Sequence, residues 1–242
     1  MDKVFPNKEE FINLMSHSLP KLDQIITHQL DLAQVYVKDD GSPVTDLDLA
    51  VSEQLELIAH NQQFHFYSEE KPGVWKFPMM MVDPVDGTKE FIAGRDEWVV
   101  SVALLQDQFL HGEGWIYNPL RKKIYQSASH LKFQEKKTYH GEASRTEWGK
   151  GYFQETFDCF TMSPMGSIAH KLGRLSNGEI DFVVSMHPKN LWDIAAGTLL
   201  CQQAGLKFYE AGVEVKEFKL KFNGPLIWCH EELYPKLSVH FY

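Results

Sequence analysis

An apolar run, Met79-Met80-Met81-Val82, stops abruptly at Asp83-Pro84-Val85-Asp86-Gly87-Thr88 and gives way to Lys89-Glu90-Phe91-Ile92. Four buried-type residues ending on an acid predict an interior strand. Pro84 favours a turn over continued strand, and Lys89 onward reads as a short helix. Gly87 allows close approach of the backbone to a ligand. The N–H groups of Gly87 and Thr88 would lie at the start of that helix, where anions bind well. Hard oxygen donors, Asp83 and Asp86, beside an anion site form a donor set suited to magnesium acting on a phosphate. An ordinary Asp-Pro turn with a capping acid accounts for the same letters, because Asp, Pro and Gly dominate turns. The aspartyl-phosphate mechanism of haloacid dehalogenase-type phosphatases uses D-x-D-G-T. Here both Pro84 and Val85 separate the acids, which counts against it.

The chain has 242 residues, enough for one large domain or two small ones sharing an interface. Its 43% hydrophobic and 24% charged content fits a globular protein and opposes a mainly disordered one. A formal net charge of −9 opposes general nucleic-acid binding. It leaves phosphorylated small molecules open, because bound metal ions invert the local field. Cys159, Cys201 and Cys229 are few, odd in number and widely spaced, so they form neither a disulfide framework nor a zinc motif; a reducing cytoplasm is expected. Residues 1–10 are charged and lack a signal-peptide core, and no run has the apolar length to span a membrane.

Apolar residues from Phe11 to Leu32 recur at helical spacing and predict one or two helices, with Pro20 starting a second or kinking the first. Asp39 to Pro43 is loop chemistry, and Thr45 or Asp46 caps a helix carrying Leu49, Val51, Leu55 and Ile58. Strands are expected at Phe64–Tyr67, Trp98–Leu105, Phe109–Tyr117, Lys123–Gln126, Ile180–Val184, Leu206–Tyr209 and Leu226–Cys229. Helices are expected from Gly166-Ser167 to Leu175, from Trp192 to about Ala204, and over 231–237. Residues 127–150 are polar and weakly periodic and mark a lobe boundary. This divides the chain into 1–140, carrying most metal-binding motifs, and 141–242, completing the site. Tyr152 to Met162 is ambiguous. Strands and helices mix without strict alternation, which favours a layered α+β architecture.

Acids stand at element ends in four places: Asp46/Asp48, Glu69/Glu70, Asp83/Asp86 and Asp193. Singly they read as helix caps; a site for two or three magnesium ions needs several carboxylates from different segments. Ser68-Glu69-Glu70, Asp83-Pro84-Val85-Asp86-Gly87-Thr88, Gly166-Ser167 and Trp192-Asp193-Ile194-Ala195-Ala196-Gly197 together resemble the inositol monophosphatase superfamily. The resemblance runs from about Lys38 to Leu237. Residues 38–45, Thr88–Ile92 and Asn190–Asp193 look most like its bacterial 3'(2'),5'-bisphosphate nucleotidase branch. It implies a five-layer αβαβα sandwich and magnesium-dependent, lithium-sensitive phosphate monoester hydrolysis by metal-activated water. It also implies that Glu69, Asp83 and the Val85 carbonyl hold one metal, and that Asp83, Asp86 and Asp193 hold a second. Glu70 would serve a third metal or its water, and Ser68 replaces the motif's usual Gly. Asp48 and Thr88 would pair to orient or deprotonate the attacking water, while Gly87 and Thr88 bind phosphate oxygens. A hydroxyl is too weak a base alone, so the carboxylate partner makes chemical sense.

The inositol-specific branch commonly carries an acid shortly before W-D, whereas residues 185–191 here contain none. His187 and Lys189 are candidates to face a second phosphate, as are Gly166, Ser167 and the following His170 or Lys171. The segment 127–159 looks short for a full adenosine pocket. Trp98 and Trp115 read as core, leaving Trp75 open as a base-stacking residue. The leading expectation is a cytoplasmic phosphatase converting 3'-phosphoadenosine 5'-phosphate to AMP and phosphate, with a homodimer usual among relatives. Alternatives are an inositol or sugar-phosphate phosphatase, or a non-catalytic sensor of phosphometabolites or metal.

Overall fold

The structure is a computed structural model that describes residues 5–126 and 129–241. Residues 1–4 of the charged amino-terminal stretch, Ser127 and Ala128 of the polar stretch, and Tyr242 lie outside the described residues. Helix α1 (Lys8–Gln29) and helix α2 (Asp46–Asn61) flank a small hairpin of β1 (Val35–Val37) and β2 (Pro43–Thr45). Strands β3 (His65–Ser68), β4 (Met79–Asp86), β5 (Val99–Leu105), β6 (Gly112–Asn118) and β7 (Lys123–Gln126) form a first sheet in that order. Helix α3 (Thr88–Ile92) leaves the end of β4. Next come β8 (Tyr139–Ser144), α4 (Arg145–Gly149), β9 (Thr156–Phe157), β10 (Phe160–Met165), α5 (Ile168–Ser176), β11 (Phe182–Ser185) and β12 (Lys189–Asn190). The chain ends with α6 (Leu191–Gln203), β13 (Lys207–Glu210), β14 (Val213–Glu214), β15 (Lys221–Phe222), β16 (Leu226–Cys229) and α7 (Tyr234–Ser238). The second sheet runs β14-β13-β16-β11-β8-β10-β9.

Period-two alternation sorts the strand residues into layers. Met80 and Val82 of β4 pack with Phe11, Met15, Leu22 and Ile26 of α1 and with α2, while Met79 and Met81 face α5 and α6. Val183 of β11 joins that same middle cluster from the second sheet, whereas Phe182 and Val184 face the outer layer with Leu237 of α7. The result is helix, sheet, helix, sheet, helix: the expected α+β five-layer sandwich. In the middle layer, a Cβ on Gly197 of α6 would lie 2.4 Å from Leu172 Cβ of α5, and one on Gly114 of β6 would lie 2.4 Å from the Ala196 carbonyl oxygen. Glycine is required there for close approach.

Several local expectations are corrected. Pro20 does not start a second helix: the one-helix alternative holds, with Pro20 inside α1, whose buried stripe (Phe11, Met15, Leu22, Ile26) crosses it and carries the helix on through packing. Leu49 is 42% exposed, because it projects away from the stripe of Leu47, Val51, Leu55 and Ile58. The strand expected from Phe109 begins at Gly112, since Leu110 takes a positive φ of 62°. Ile180 and Leu206 precede their strands rather than opening them. The weakly periodic stretch contains β8 in the interior of the second sheet. There Gly141 makes room for the Phe182 ring, and the buried Glu142 pairs with Arg174. The ambiguous stretch after Tyr152 supplies β9 and the start of β10.

Candidate active site

The site begins where β4 loses its register. Asp83 pairs with Ser101 of β5 and Asp86 with Val99, so β4 carries one extra residue between them. The strand therefore does not turn at Pro84 but bulges there, where a residue lacking an N–H costs no ladder bond. The Val85 N–H donates to Asp83 Oδ1 at 3.1 Å, fixing that carboxylate. Gly87 then adopts φ 104°, and a Cβ on it would sit 3.1 Å from Trp98 Cβ. Any other residue would be strained in conformation and crowded.

Four carboxylates meet at this bulge. Oxygens of Glu69, Asp83 and Asp193 lie within 4.8 Å of one another. Asp193 arrives at the start of α6, where its Oδ2 accepts the Asn190 N–H at 2.8 Å. Asp86 Oδ2 accepts from the Ser167 hydroxyl and the Ala169 N–H, both at 2.5 Å. Burial and mutual repulsion hold Asp83 well above the usual carboxylate range. Burial chiefly pushes Asp193 up to about 8 and Asp86 to about 6, with neighbouring acids adding to both. Like charges gathered out of water favour a counter-ion. Hard carboxylate oxygens at these separations fit a divalent cation such as magnesium. Lys38, at the tip of the β1–β2 hairpin, reaches across to Glu69 at 2.8 Å and Glu70 at 2.7 Å. Burial also raises the Glu70 carboxyl.

Asp48 is 2% exposed and does two things. Its Oδ2 accepts the backbone N–H of Thr45 at 2.8 Å and the Thr45 hydroxyl at 2.5 Å, capping α2. Its Oδ1 lies 3.1 Å from the Thr88 hydroxyl, which is also 3.1 Å from the Val85 carbonyl. Burial raises the Asp48 carboxyl above its ordinary range. A carboxylate in hydrogen-bonding contact with a hydroxyl at the pocket wall is suited to moving a proton.

Glu69, Asp83, Val85, Asp86, Gly87, Thr88 and Asp193 line one cavity of about 290 Å³ together with Gly166, Ser167 and Lys189. Glu70 and Asp48 stand behind this wall, joined to it through Lys38 and Thr88. Lys171 also lines the cavity, but its ammonium donates to the carbonyls of Met165, Gly166 and Ser167 at 3.1, 2.8 and 3.0 Å. Its three protons are thereby used. Burial lowers it to about 8. His170 is turned into the core, 3.3 Å from the Tyr125 hydroxyl. His187 is not part of the lining; its Nδ1 and backbone N–H go to Glu147 at 2.9 and 2.8 Å. Trp98 and Trp115 are core, and Trp75 stands edge-on to Phe77 away from the cavity.

Lys38, Lys89, Ser144 and Ser185 escaped the sequence reading as site residues; the last three line the cavity. Lys38 and Lys89 do sit inside the segments 38–45 and Thr88–Ile92 that carry the family resemblance. Ser144 and Ser185 carry no local signal, because only the pairing of β8 with β11 brings them together.

No helix among the described residues is long and apolar enough to cross a membrane. The model of the inositol monophosphatase family matches residues 8–236. The 3'(2'),5'-bisphosphate nucleotidase CysQ of Shigella flexneri is 28% identical over 207 residues, covering 73% of this chain and 79% of its own. The crystal structure of staphylococcal IMPase-I complexed with products superposes with a TM-score of 0.80 at 15% identity, over 97% of this chain and 96% of the other. An IMPase/NADP phosphatase complexed with Mg2+ and phosphate gives 0.79 at 15% identity, over 96% and 95%.

Proposed function

The chain belongs to the inositol monophosphatase family, and from that premise we propose that it is a magnesium-dependent, lithium-sensitive 3'(2'),5'-bisphosphate nucleotidase releasing AMP and phosphate from 3'-phosphoadenosine 5'-phosphate. The observation that carries this reading is one cavity that the carboxylates of β4 and α6 share with Lys189. Glu69, Asp83, Asp193, Asp86 and the Val85 carbonyl would hold two ions, with Glu70 serving a third. When bound, magnesium would supply Lewis-acid polarisation and offset the substrate's charge. The backbone N–H groups of Gly87 and Thr88 and the Gly166–Ser167 turn would bind the phosphate oxygens. Thr88 and Asp48 would take the proton of the attacking water. Lys189, rather than His187, would face the second phosphate, because His187 is committed to Glu147. Cys201 and Cys229 are buried free thiols, consistent with a cytoplasmic setting.

The test is phosphate release from 3'-phosphoadenosine 5'-phosphate, inositol 1-phosphate and fructose 1,6-bisphosphate with magnesium, with and without lithium. Lithium-blocked preference for the nucleotide is expected. Preference for inositol 1-phosphate would replace the substrate while keeping the ion site. Magnesium-dependent ligand binding without release from any of them would favour a sensor. Lys189→Ala should raise KM for the bisphosphate about ten-fold, the scale of a charge-assisted hydrogen bond, and leave inositol 1-phosphate nearly unchanged. Equal effects on both substrates would remove Lys189 from the specificity role.

Stability should depend on pH with an unusual sign. Asp193 is raised from 3.8 to about 8 and Asp86 to about 6, so the folded state binds more protons than the unfolded one between those values. The contribution of these two carboxyls to the stability of the metal-free protein is then full below pH about 4 and is lost as pH rises to about 8. Magnesium binding releases those protons, so its affinity rises over the same window. Melting curves with magnesium or chelator across this range check it; a magnesium-induced gain in Tm that ignores pH would contradict it.

A further inference from the structure

We propose that Glu97 is a positioning residue for the ion site, acting through the Gly166–Ser167 turn on the orientation of Asp86; this rests on the function proposed above. Glu97 lies between α3 and β5, on the first-sheet side of the cavity. Its Oε2 accepts the Gly166 N–H at 2.9 Å, and its backbone carbonyl accepts the Ser167 N–H at 3.3 Å. Its Oε1 accepts from Arg145 Nη2 at 2.5 Å, and the same nitrogen lies 3.4 Å from the Pro164 carbonyl. Glu97 thus ties the turn after β10 to the start of α4, whose Arg145 in turn holds Pro164 of β10. Glu90 closes the turn from another direction: a Cβ on Gly166 would lie 2.2 Å from Glu90 Cγ. The clasped turn presents the Ser167 hydroxyl and the Ala169 N–H to Asp86 Oδ2. Asp86 lines the cavity, so fixing its Oδ2 sets how that carboxylate is presented there. Glu97 is not among the residues that line the cavity, so its influence passes through these bonds. Partners that orient a metal-binding carboxylate typically matter nearly as much as the ligand itself.

The test compares Glu97→Leu, Glu97→Gln and Asp181→Leu. Asp181 is a matched control: its carboxylate holds the His140 N–H and the Lys136 ammonium, outside the cavity lining. Magnesium affinity is read by calorimetry without substrate. Hydrogen exchange of a peptide spanning residues 166–171 is read in the metal-free protein, and kcat and KM follow. Glu97→Leu should weaken magnesium about ten-fold and lower kcat more than it raises KM. It should also speed exchange in that peptide about ten-fold, in line with the loss of a local hydrogen bond. Glu97→Gln keeps an acceptor for the Gly166 N–H and for Arg145, and should stay within about three-fold of wild type, the scale of a half-buried ion pair reduced to a neutral hydrogen bond. Asp181→Leu should lower Tm comparably and leave magnesium affinity unchanged. Unaltered exchange in Glu97→Leu, or a Glu97→Gln loss as large as that of Glu97→Leu, overturns the proposal. Failure of the wild-type chain to bind magnesium overturns the proposed function instead, and the exchange measurement still decides the role of Glu97.

Discussion

Asp83→Asn is expected to abolish magnesium binding and phosphate release together while raising the melting temperature of the metal-free protein. Asparagine has nearly the shape of aspartate and keeps an oxygen to accept the Val85 N–H, so the bulge in β4 survives. What disappears is a buried charge held among Glu69, Asp86 and Asp193. Folding then no longer has to gather that charge against its neighbours. Each 1 kcal/mol of relief is worth about 2–4 °C in a chain of this size. Activity should fall at least about 10³-fold, because the ion's contribution to the barrier is several kcal/mol. Calorimetric titration, phosphate release and melting in chelator measure the three effects. An Asp83→Asn protein that binds magnesium normally, or melts lower than wild type in chelator, would sink the reading of Asp83 as a destabilised ion ligand.

Thr88→Val should separate the ion from the chemistry. Valine fills the same volume and keeps the backbone N–H, but removes the hydroxyl that lies 3.1 Å from Asp48. Asp48 stays anchored through Thr45, so α2 keeps its cap. Turnover should fall about 10²- to 10⁴-fold, the range of a lost proton-transfer group. Magnesium affinity should remain near that of the wild type. Unchanged kcat would move water activation elsewhere. An equal loss of affinity would make Thr88 part of the ion site instead.

The legible parts of the sequence were those where local pattern and chemistry coincide. A buried strand ending on acids is visible at Met79–Asp86 because apolar run and carboxylates are contiguous. Asp48 is harder: a capping acid and a proton acceptor look alike in a first helical turn, and this residue is both, with Thr88 forty positions away. Only the family resemblance singled it out. His170 and Lys171 are adjacent in the chain, yet about 100° of helical rotation sends one to Tyr125 and the other to the cavity. Lys38 opens the segment 38–45 that carries the family resemblance, but only the hairpin brings it to Glu69 and Glu70. Strand β8 escaped notice because its interior positions are Gly141 and Glu142, made acceptable by Phe182 and Arg174 from other elements. Glu97 has no sequence signal, since its bond to Gly166 spans 69 positions.

The glycine-keyed layer of α5 and α6 bears on how a ligand is received. Met79 and Met81 of β4 and Leu191, Ile194 and Ala195 of α6 belong to one continuous core, so the spacing between the β4 acids and Asp193 is set by packing. Gly197 against Leu172 seats α6 tightly on α5, and Gly114 against Ala196 seats it on the first sheet, so α6 has little room to shift relative to β4. The conformational entropy of assembling the ligand set is therefore surrendered during folding rather than at each encounter, which leaves more of the interaction energy to hold the ligand.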